Sequence, residues 1–170
     1  MIYVCNILEL PEHCLSLAPS HVVSLVAPDE QPPTPSGIAT ERHLRLPIHD
    51  ISEPLDGHVL PQAEHVTQLI DFVRSWRHDE APLLVHCVAG ISRSMAAALI
   101  TLVVKAGGRE AEAAHGLRTA AAHALPNRRM VLLADDLLGC EGRLIAAREA
   151  MGPAQITALH GPLVRLPLLD

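Results

Sequence analysis

The chain has 170 residues, a length that suits a single domain spanning residues 1–170. Apolar residues make up 49% of it, enough to bury a core, and the formal net charge is -6. Nucleic-acid binding needs clustered Lys and Arg and commonly uses stacking aromatic rings. The acidic balance, with Tyr3, Phe72 and Trp76 as the only aromatic residues, therefore argues against a nucleic-acid partner.

The N-terminal residues lack the basic and long apolar regions of a secretion signal, and no apolar run reaches the length of a membrane span. The cysteines form no CxxC pair, and the histidines show no metal-ligand spacing. We therefore expect a cytoplasmic protein with reduced thiols and no disulfide, metal, cofactor or membrane partner. The four cysteines are Cys5, Cys14, Cys87 and Cys140.

The first third of the chain predicts short strands separated by loops. The strand segments are rich in β-branched or alternating apolar residues, and proline clusters punctuate them. The predicted elements are strands at 2–8, 21–26 and 43–48, a short helical turn at 11–17, and a proline-rich surface loop at 28–37. An irregular loop follows at 47–59 and carries the carboxyl side chains of Asp50, Glu53 and Asp56.

The rest of the chain predicts helices around one buried strand. An apolar stripe at helical spacing follows Pro61, and residues 82–86 form a continuous apolar run, typical of a strand buried on both faces. The further predicted helices lie at 94–105, 110–124 and from Asn127 to about 149, and the tail from about 152 is left unassigned. Strands alternating with helices predict an α/β fold with a mainly parallel central sheet of about four to five strands, flanked by helices.

The turn between the buried strand and the next helix carries the chemistry. It reads His86-Cys87-Val88-Ala89-Gly90-Ile91-Ser92-Arg93-Ser94. Such a strand–turn–helix can point successive backbone N–H groups at an anion, and the helix N-terminus adds its own unpaired N–H groups. The Arg93 guanidinium can bind two phosphate oxygens, and the same positive field favours the thiolate, the nucleophilic form of Cys87. Gly90 allows close approach of the backbone.

The pattern HCxxGxxRS in this segment resembles the signature of the protein tyrosine phosphatase superfamily. The small size resembles its compact dual-specificity branch of bacterial type. The resemblance implies that Cys87 forms a cysteinyl-phosphate, that Arg93 clamps the phosphate and that Ser94 assists departure of the thiolate. It also implies that His86 tunes the cysteine. The implied phosphate-binding residues are Cys87, Val88, Ala89, Gly90, Ile91, Ser92 and Arg93.

The resemblance also implies an aspartate general acid on a separate loop upstream. Asp50 leaves the third strand in the place that the family uses, and we expect it to be the acid. Asp56 and Glu53 in the same loop are the alternatives. Asn127 has two interpretations that the sequence leaves open: an N-cap for the last helix, or a residue that ties down the phosphate loop.

These residues indicate an enzyme that hydrolyses phosphomonoesters, with phosphotyrosine, and also phosphoserine and phosphothreonine, in proteins as the expected substrates. The uncharged variable positions of the loop favour phosphoprotein over a polyanionic substrate; they are Val88, Ala89, Ile91 and Ser92. Two alternatives stay open: a phosphate-binding module with weak or no catalysis, and a phosphatase for lipid, inositol or other non-protein phosphates.

Overall fold

One central sheet of five strands organises the structure, a computed structural model that describes residues 1–77 and 81–169. The strands are β1 (Ile2–Asn6), β2 (His21–Val26), β3 (His43–Pro47), β4 (Leu83–Cys87) and β5 (Val164–Leu166). Their order in the sheet is β3-β2-β4-β1-β5. Strands β1 to β4 are parallel, and β5 is antiparallel to β1. The predicted α/β fold with a mainly parallel sheet is confirmed.

Strand β4 lies in the middle of the sheet, between β1 and β2. All of its residues are buried, as are those of β2, which explains why both sequences are apolar without alternation. The carboxyl end of β4 therefore opens at the centre of the sheet edge where parallel sheets place their ligands. Cys87 is the last residue of this strand.

In the described part of the chain, six α-helices flank the sheet: α1 (Leu10–Leu17), α2 (Ala63–Ser75), α3 (Arg93–Ala106), α4 (Glu110–Ala120), α5 (Arg128–Leu137) and α6 (Arg143–Ala150). Helix α3 is buried on all sides from Arg93 to Val103, since the sheet and helices α2, α4 and α5 surround it. The predicted central helix is thus confirmed. Within the described ranges, no helix is both long and apolar enough to cross a membrane.

The prediction of one long helix from Asn127 to about 149 is wrong. The chain leaves the helical conformation after Leu137, and Gly142 adopts a left-handed φ of +86° before α6 begins. The buried Asp135 side chain holds the break: its Oδ2 accepts from Gly142 N at 2.7 Å, and its Oδ1 accepts from Leu144 N at 2.9 Å. The predicted helix at 110–124 also ends earlier, at Ala120.

The tail that the sequence left unassigned is part of the sheet. Residues 152–163 have no helix or strand. They connect α6 to β5, which pairs with β1 at the sheet edge. Three strand residues are too few for a hydrophobic period to reveal them. The pairing with β1 is what makes this segment a strand.

Replacement of Asp135 by alanine should destabilise the fold by about 1–3 kcal/mol, because it leaves three N–H groups at the start of α6 without their acceptor. Urea unfolding at neutral pH measures the change. Asp136→Ala is the matched control: Asp136 is exposed, so we expect an effect within about 0.5 kcal/mol. Equal losses for the two variants would contradict the capping role of Asp135.

Candidate active site

The Cys87 sulfur lies at the bottom of the turn between β4 and α3. The residue is 1% exposed. Its Sγ accepts a hydrogen bond from Gly90 N at 3.2 Å and lies 3.1 Å from Ser94 Oγ. An amide and a hydroxyl can thus both donate to a negatively charged sulfur. The structure therefore brings together Cys87, Gly90 and Ser94 as the sequence predicts.

The carbonyl groups of the loop between Cys87 and Arg93 are bound from outside. The carbonyl and N–H groups of one peptide point in opposite directions, so a carbonyl tied to the outside turns the following N–H inward. Four carbonyls are fixed in this way by backbone amides: Val88 O by Ile7 N at 3.2 Å, Ala89 O by Gly161 N at 2.8 Å, Ile91 O by Leu125 N at 2.9 Å, and Ser92 O by Asn127 N at 3.3 Å. The result is a concave row of donors, which suits an anion.

Gly90 is the one position in this loop with a left-handed backbone, at φ +71°. A Cβ atom there would lie 3.0 Å from the backbone atoms of Cys5 and Asn6. Both facts require glycine, since a side chain would be strained by the conformation and would press on the end of β1. The glycine of the motif is therefore explained by the contact with β1 as well as by the turn itself.

The Arg93 side chain is buried beside the loop at 47–59, which carries the candidate acids and is hereafter the acid loop. Its Nη1 donates to the Ile48 carbonyl at 2.7 Å, which fixes the side chain at the mouth of the turn. Its Nε is buried and has no hydrogen-bond partner among the described residues. A buried donor without a partner is costly unless an acceptor reaches it, and an oxyanion in the loop is such an acceptor.

Asp50 contacts the phosphate loop directly. Its Oδ1 accepts from Ser92 Oγ at 2.7 Å and from Asn127 Nδ2 at 2.9 Å. The Asn127 Oδ1 also accepts from Met130 N at 3.1 Å, so this side chain caps α5 while it holds the acid loop. Its backbone N–H binds the Ser92 carbonyl. Asn127 is thus an N-cap and also binds the phosphate loop. Its side chain binds the acid loop, and only its backbone N–H binds the phosphate loop.

The other two carboxyl candidates lie farther along the acid loop. Glu53 lines a shallow groove with Ser52, Arg128, Arg129 and Leu132. Asp56 is exposed, and its backbone carbonyl accepts from the ring of His58. Within the described part of the chain, neither side chain forms a hydrogen bond with the phosphate loop, whereas Asp50 does.

His86 belongs to a buried polar chain that the sequence does not reveal. Its Nε2 lies 2.6 Å from Ser24 Oγ, which lies 2.8 Å from His43 Nε2. The His43 Nδ1 in turn lies 3.1 Å from Thr34 Oγ1 in the proline-rich loop. The pairing of β2 with β4 sets Ser24 beside His86, and a contact made by sheet register leaves no local sequence signal.

Burial makes both rings of this chain neutral near pH 7. It lowers the pKa of His86 to about 4, against an opposing contribution from the Cys87 backbone and with further lowering by His43 and Arg93. It also lowers the pKa of His43 to about 4, with a further contribution from Arg45. His86 therefore contributes hydrogen bonding rather than a positive charge behind Cys87 at neutral pH.

The comparisons with known proteins agree with this geometry. The protein-tyrosine phosphatase family model matches residues 54–129, which include the phosphate loop and Asn127 but not Asp50. No curated protein matches the chain. The structure of DUSP15 has 20% sequence identity and a TM-score of 0.65, with 88% of this chain and 89% of that chain covered.

Two further solved structures are similar to this chain. Human DUSP28 has 18% identity and a TM-score of 0.61, and the match covers 88% of this chain and 92% of that one. PTPMT1 in complex with PI(5)P has 16% identity and a TM-score of 0.59, with 88% and 94% covered. The family model confirms the predicted resemblance to the protein tyrosine phosphatase superfamily. The solved structures show that the chain shares the fold of dual-specificity phosphatases. The family model and the fold together support a cysteine phosphatase.

Gly90→Ala should weaken binding of vanadate, an oxyanion probe, at least tenfold, because the added Cβ presses on β1 and turns the loop amides away. Isothermal titration or fluorescence quenching measures the affinity. Gly107→Ala is the control: Gly107 has a similar φ of +64° but no atom within 4 Å of the added Cβ. It should lose stability only, and unchanged vanadate affinity in Gly90→Ala would refute the role of Gly90.

Stability should fall as the pH drops from about 6.5 toward 4. The unfolded chain protonates its histidines near pH 6.5, whereas the native His86 and His43 rings stay neutral down to about 4, so the unfolded state binds more protons in this window. Urea midpoints at pH 6.5 and 5 measure the slope. His43→Gln should reduce the loss, and exposed His115→Gln should not. Identical slopes for wild type and His43→Gln would contradict this account.

Proposed function

We propose that this protein hydrolyses phosphomonoesters on proteins, phosphotyrosine foremost and phosphoserine and phosphothreonine as well, through a cysteinyl-phosphate on Cys87. One observation carries the proposal. The loop carbonyls are bound outward around a buried sulfur that Gly90 N and Ser94 Oγ contact. The neighbouring Arg93 Nε is a buried donor without a partner among the described residues. A tetrahedral oxyanion matches that donor set.

In the first step the Cys87 thiolate attacks phosphorus. The S–P bond forms as the ester P–O bond breaks, and Asp50 gives its proton to the leaving oxygen. Arg93 and the loop amides stabilise the charge on the remaining phosphate oxygens. Asp50 is supported as the acid by its hydrogen bond to Ser92, which keeps the carboxyl group at the rim of the loop.

In the second step water attacks the phosphocysteine. The S–P bond breaks, inorganic phosphate leaves, and Asp50 takes the proton from the attacking water. The Ser94 hydroxyl, 3.1 Å from the sulfur, donates to the thiolate as its negative charge returns. His86 acts as a positioning residue through its neutral ring and its contact with Ser24.

The loop itself supports a phosphoprotein substrate. Its variable side chains are uncharged, so the site binds one phosphate group without extra cations inside the loop. A phosphoinositide is the second candidate. The groove beside the acid loop contains Arg128 and Arg129, two cations that suit a further phosphate. The similar solved structure of PTPMT1 is a complex with PI(5)P.

Hydrolysis of a chromogenic aryl phosphate at mildly acidic pH tests the chemistry. Wild type should turn over, and Cys87→Ser should not. Asp50→Asn should slow turnover by about 10²–10⁴-fold while vanadate affinity stays near that of wild type. No turnover above Cys87→Ser would reject the enzyme and favour a phosphate-binding module.

Matched carboxyl variants separate the acid from its neighbours. Glu53→Gln and Asp56→Asn lie in the same loop and should keep most of the activity. A loss confined to Asp56→Asn would move the general acid to that residue and leave Cys87 as the nucleophile. Rapid quenching of Asp50→Asn with a phosphotyrosyl peptide and with PI(5)P vesicles distinguishes the substrates, since the preferred one should give more phosphocysteine per unit time.

A further inference from the structure

The C-terminal segment 152–163 reaches the outer side of the phosphate loop. Gly161 N donates to the Ala89 carbonyl at 2.8 Å. The other externally bound carbonyls accept from backbone N–H groups in two places. Ile7 follows β1 directly, and Leu125 and Asn127 lie in the turn before α5. The donor for Ala89 comes from a part of the chain that lies beyond the segment matched by the family model.

Hydrogen bonds hold both ends of the segment to the rest of the protein, and its middle is exposed. At its start, Arg118 Nη2 donates to the Gly152 carbonyl at 3.2 Å, and Gln155 N donates to the Ala122 carbonyl at 2.9 Å. At its end, β5 pairs with β1, and Asn6 Nδ2 donates to the Gly161 carbonyl at 3.1 Å. Both the carbonyl and the N–H group of Gly161 therefore form hydrogen bonds, so its position is fixed.

The space around Gly161 admits no side chain. A Cβ atom there would lie 2.5 Å from His123 Nε2 and 3.1 Å from the Gly90 carbonyl oxygen. His123 Nε2 is buried and has no hydrogen-bond partner among the described residues. Burial and Arg118 lower the pKa of the His123 ring, and the Gly90 backbone opposes them. Gly161 thus binds the Ala89 carbonyl and lies packed between the His123 ring and the Gly90 carbonyl.

The orientation of the Ala89–Gly90 peptide determines whether an N–H group or a carbonyl oxygen faces the anion. With its carbonyl bound outward to Gly161, its N–H points inward and donates to Cys87 Sγ. Gly90 is at φ +71° and, as a glycine, can rotate this peptide at low cost. Rotation would present a carbonyl oxygen to a phosphate dianion. The external hydrogen bond is therefore what holds the peptide in its anion-binding orientation.

We propose that the C-terminal segment 152–163 forms part of the phosphate site. Gly161 is a positioning residue that holds the Ala89–Gly90 peptide, and the His123 ring packs against Gly161. The proposal rests on the proposed function for the identity of the anion. The segment stabilises the inward orientation of one donor, and through Gly90 N it acts on both the bound phosphate and the nucleophile.

Gly161→Ala in the full chain tests this. The methyl group collides with His123 and moves the N–H away from Ala89, so vanadate affinity should fall at least tenfold. Alkylation of Cys87 by iodoacetate should slow at neutral pH and move to higher pH, since the sulfur loses a donor. Leu159→Ala is the control, because Leu159 is 87% exposed in the same segment and should change neither quantity.

A relief variant separates positioning from general destabilisation. Gly161→Ala with His123→Ala removes the ring that the methyl meets, and its vanadate affinity should return to that of His123→Ala alone. Wild-type affinity in Gly161→Ala, or a loss that merely follows the unfolded fraction measured by urea, would overturn the proposal. An unchanged alkylation profile in that variant would do the same.

Failure of this inference and failure of the proposed function give different results. Vanadate binding and alkylation need no turnover. A wild type that binds vanadate but hydrolyses nothing, with Gly161→Ala still weaker, rejects the enzyme and keeps the positioning role. A wild type that binds no oxyanion rejects both.

Discussion

The outward hydrogen bonding of the phosphate-loop carbonyls is the constraint on which the site depends. A loop of five residues between Cys87 and Arg93 has no side-chain cation of its own, so its affinity for an anion must come from backbone N–H groups that all face one way. Each carbonyl bound from outside turns the following amide inward. Amides from β1, from the turn before α5 and from the C-terminal segment supply these bonds.

The same contacts bring the rest of the chemistry to the loop. Ser92 binds Asp50 with its hydroxyl, and Asn127 holds the same carboxyl group while its backbone binds Ser92. Arg93 is fastened to the acid loop through Ile48. Hydrogen bonds therefore join the Asp50 carboxyl group, the Arg93 guanidinium and the loop to one another. A chain with a net charge of -6 can still concentrate positive potential at this point, because partial charges at short range outweigh screened charges elsewhere.

Much of this arrangement follows from local sequence. The apolar run before His86, the glycine in the turn and the apolar helix after Arg93 predict a strand–turn–helix, and the structure has one. The division of the last helix could not be predicted in the same way. Its break depends on Asp135, which binds amides seven to ten residues ahead, and a helical period continues across a short break without a visible change.

The sequence by itself determined the sulfur, the guanidinium and the hydroxyl at their spacing, because residues of one turn stay neighbours in any fold that contains the turn. Tertiary structure alone decided which groups surround them. Ser24 meets His86 through strand register, and Gly161 meets Ala89 through the path of the C-terminal segment. Such contacts join residues that are 62 or more positions apart, and their bonds are backbone amides or small side chains that carry no local pattern.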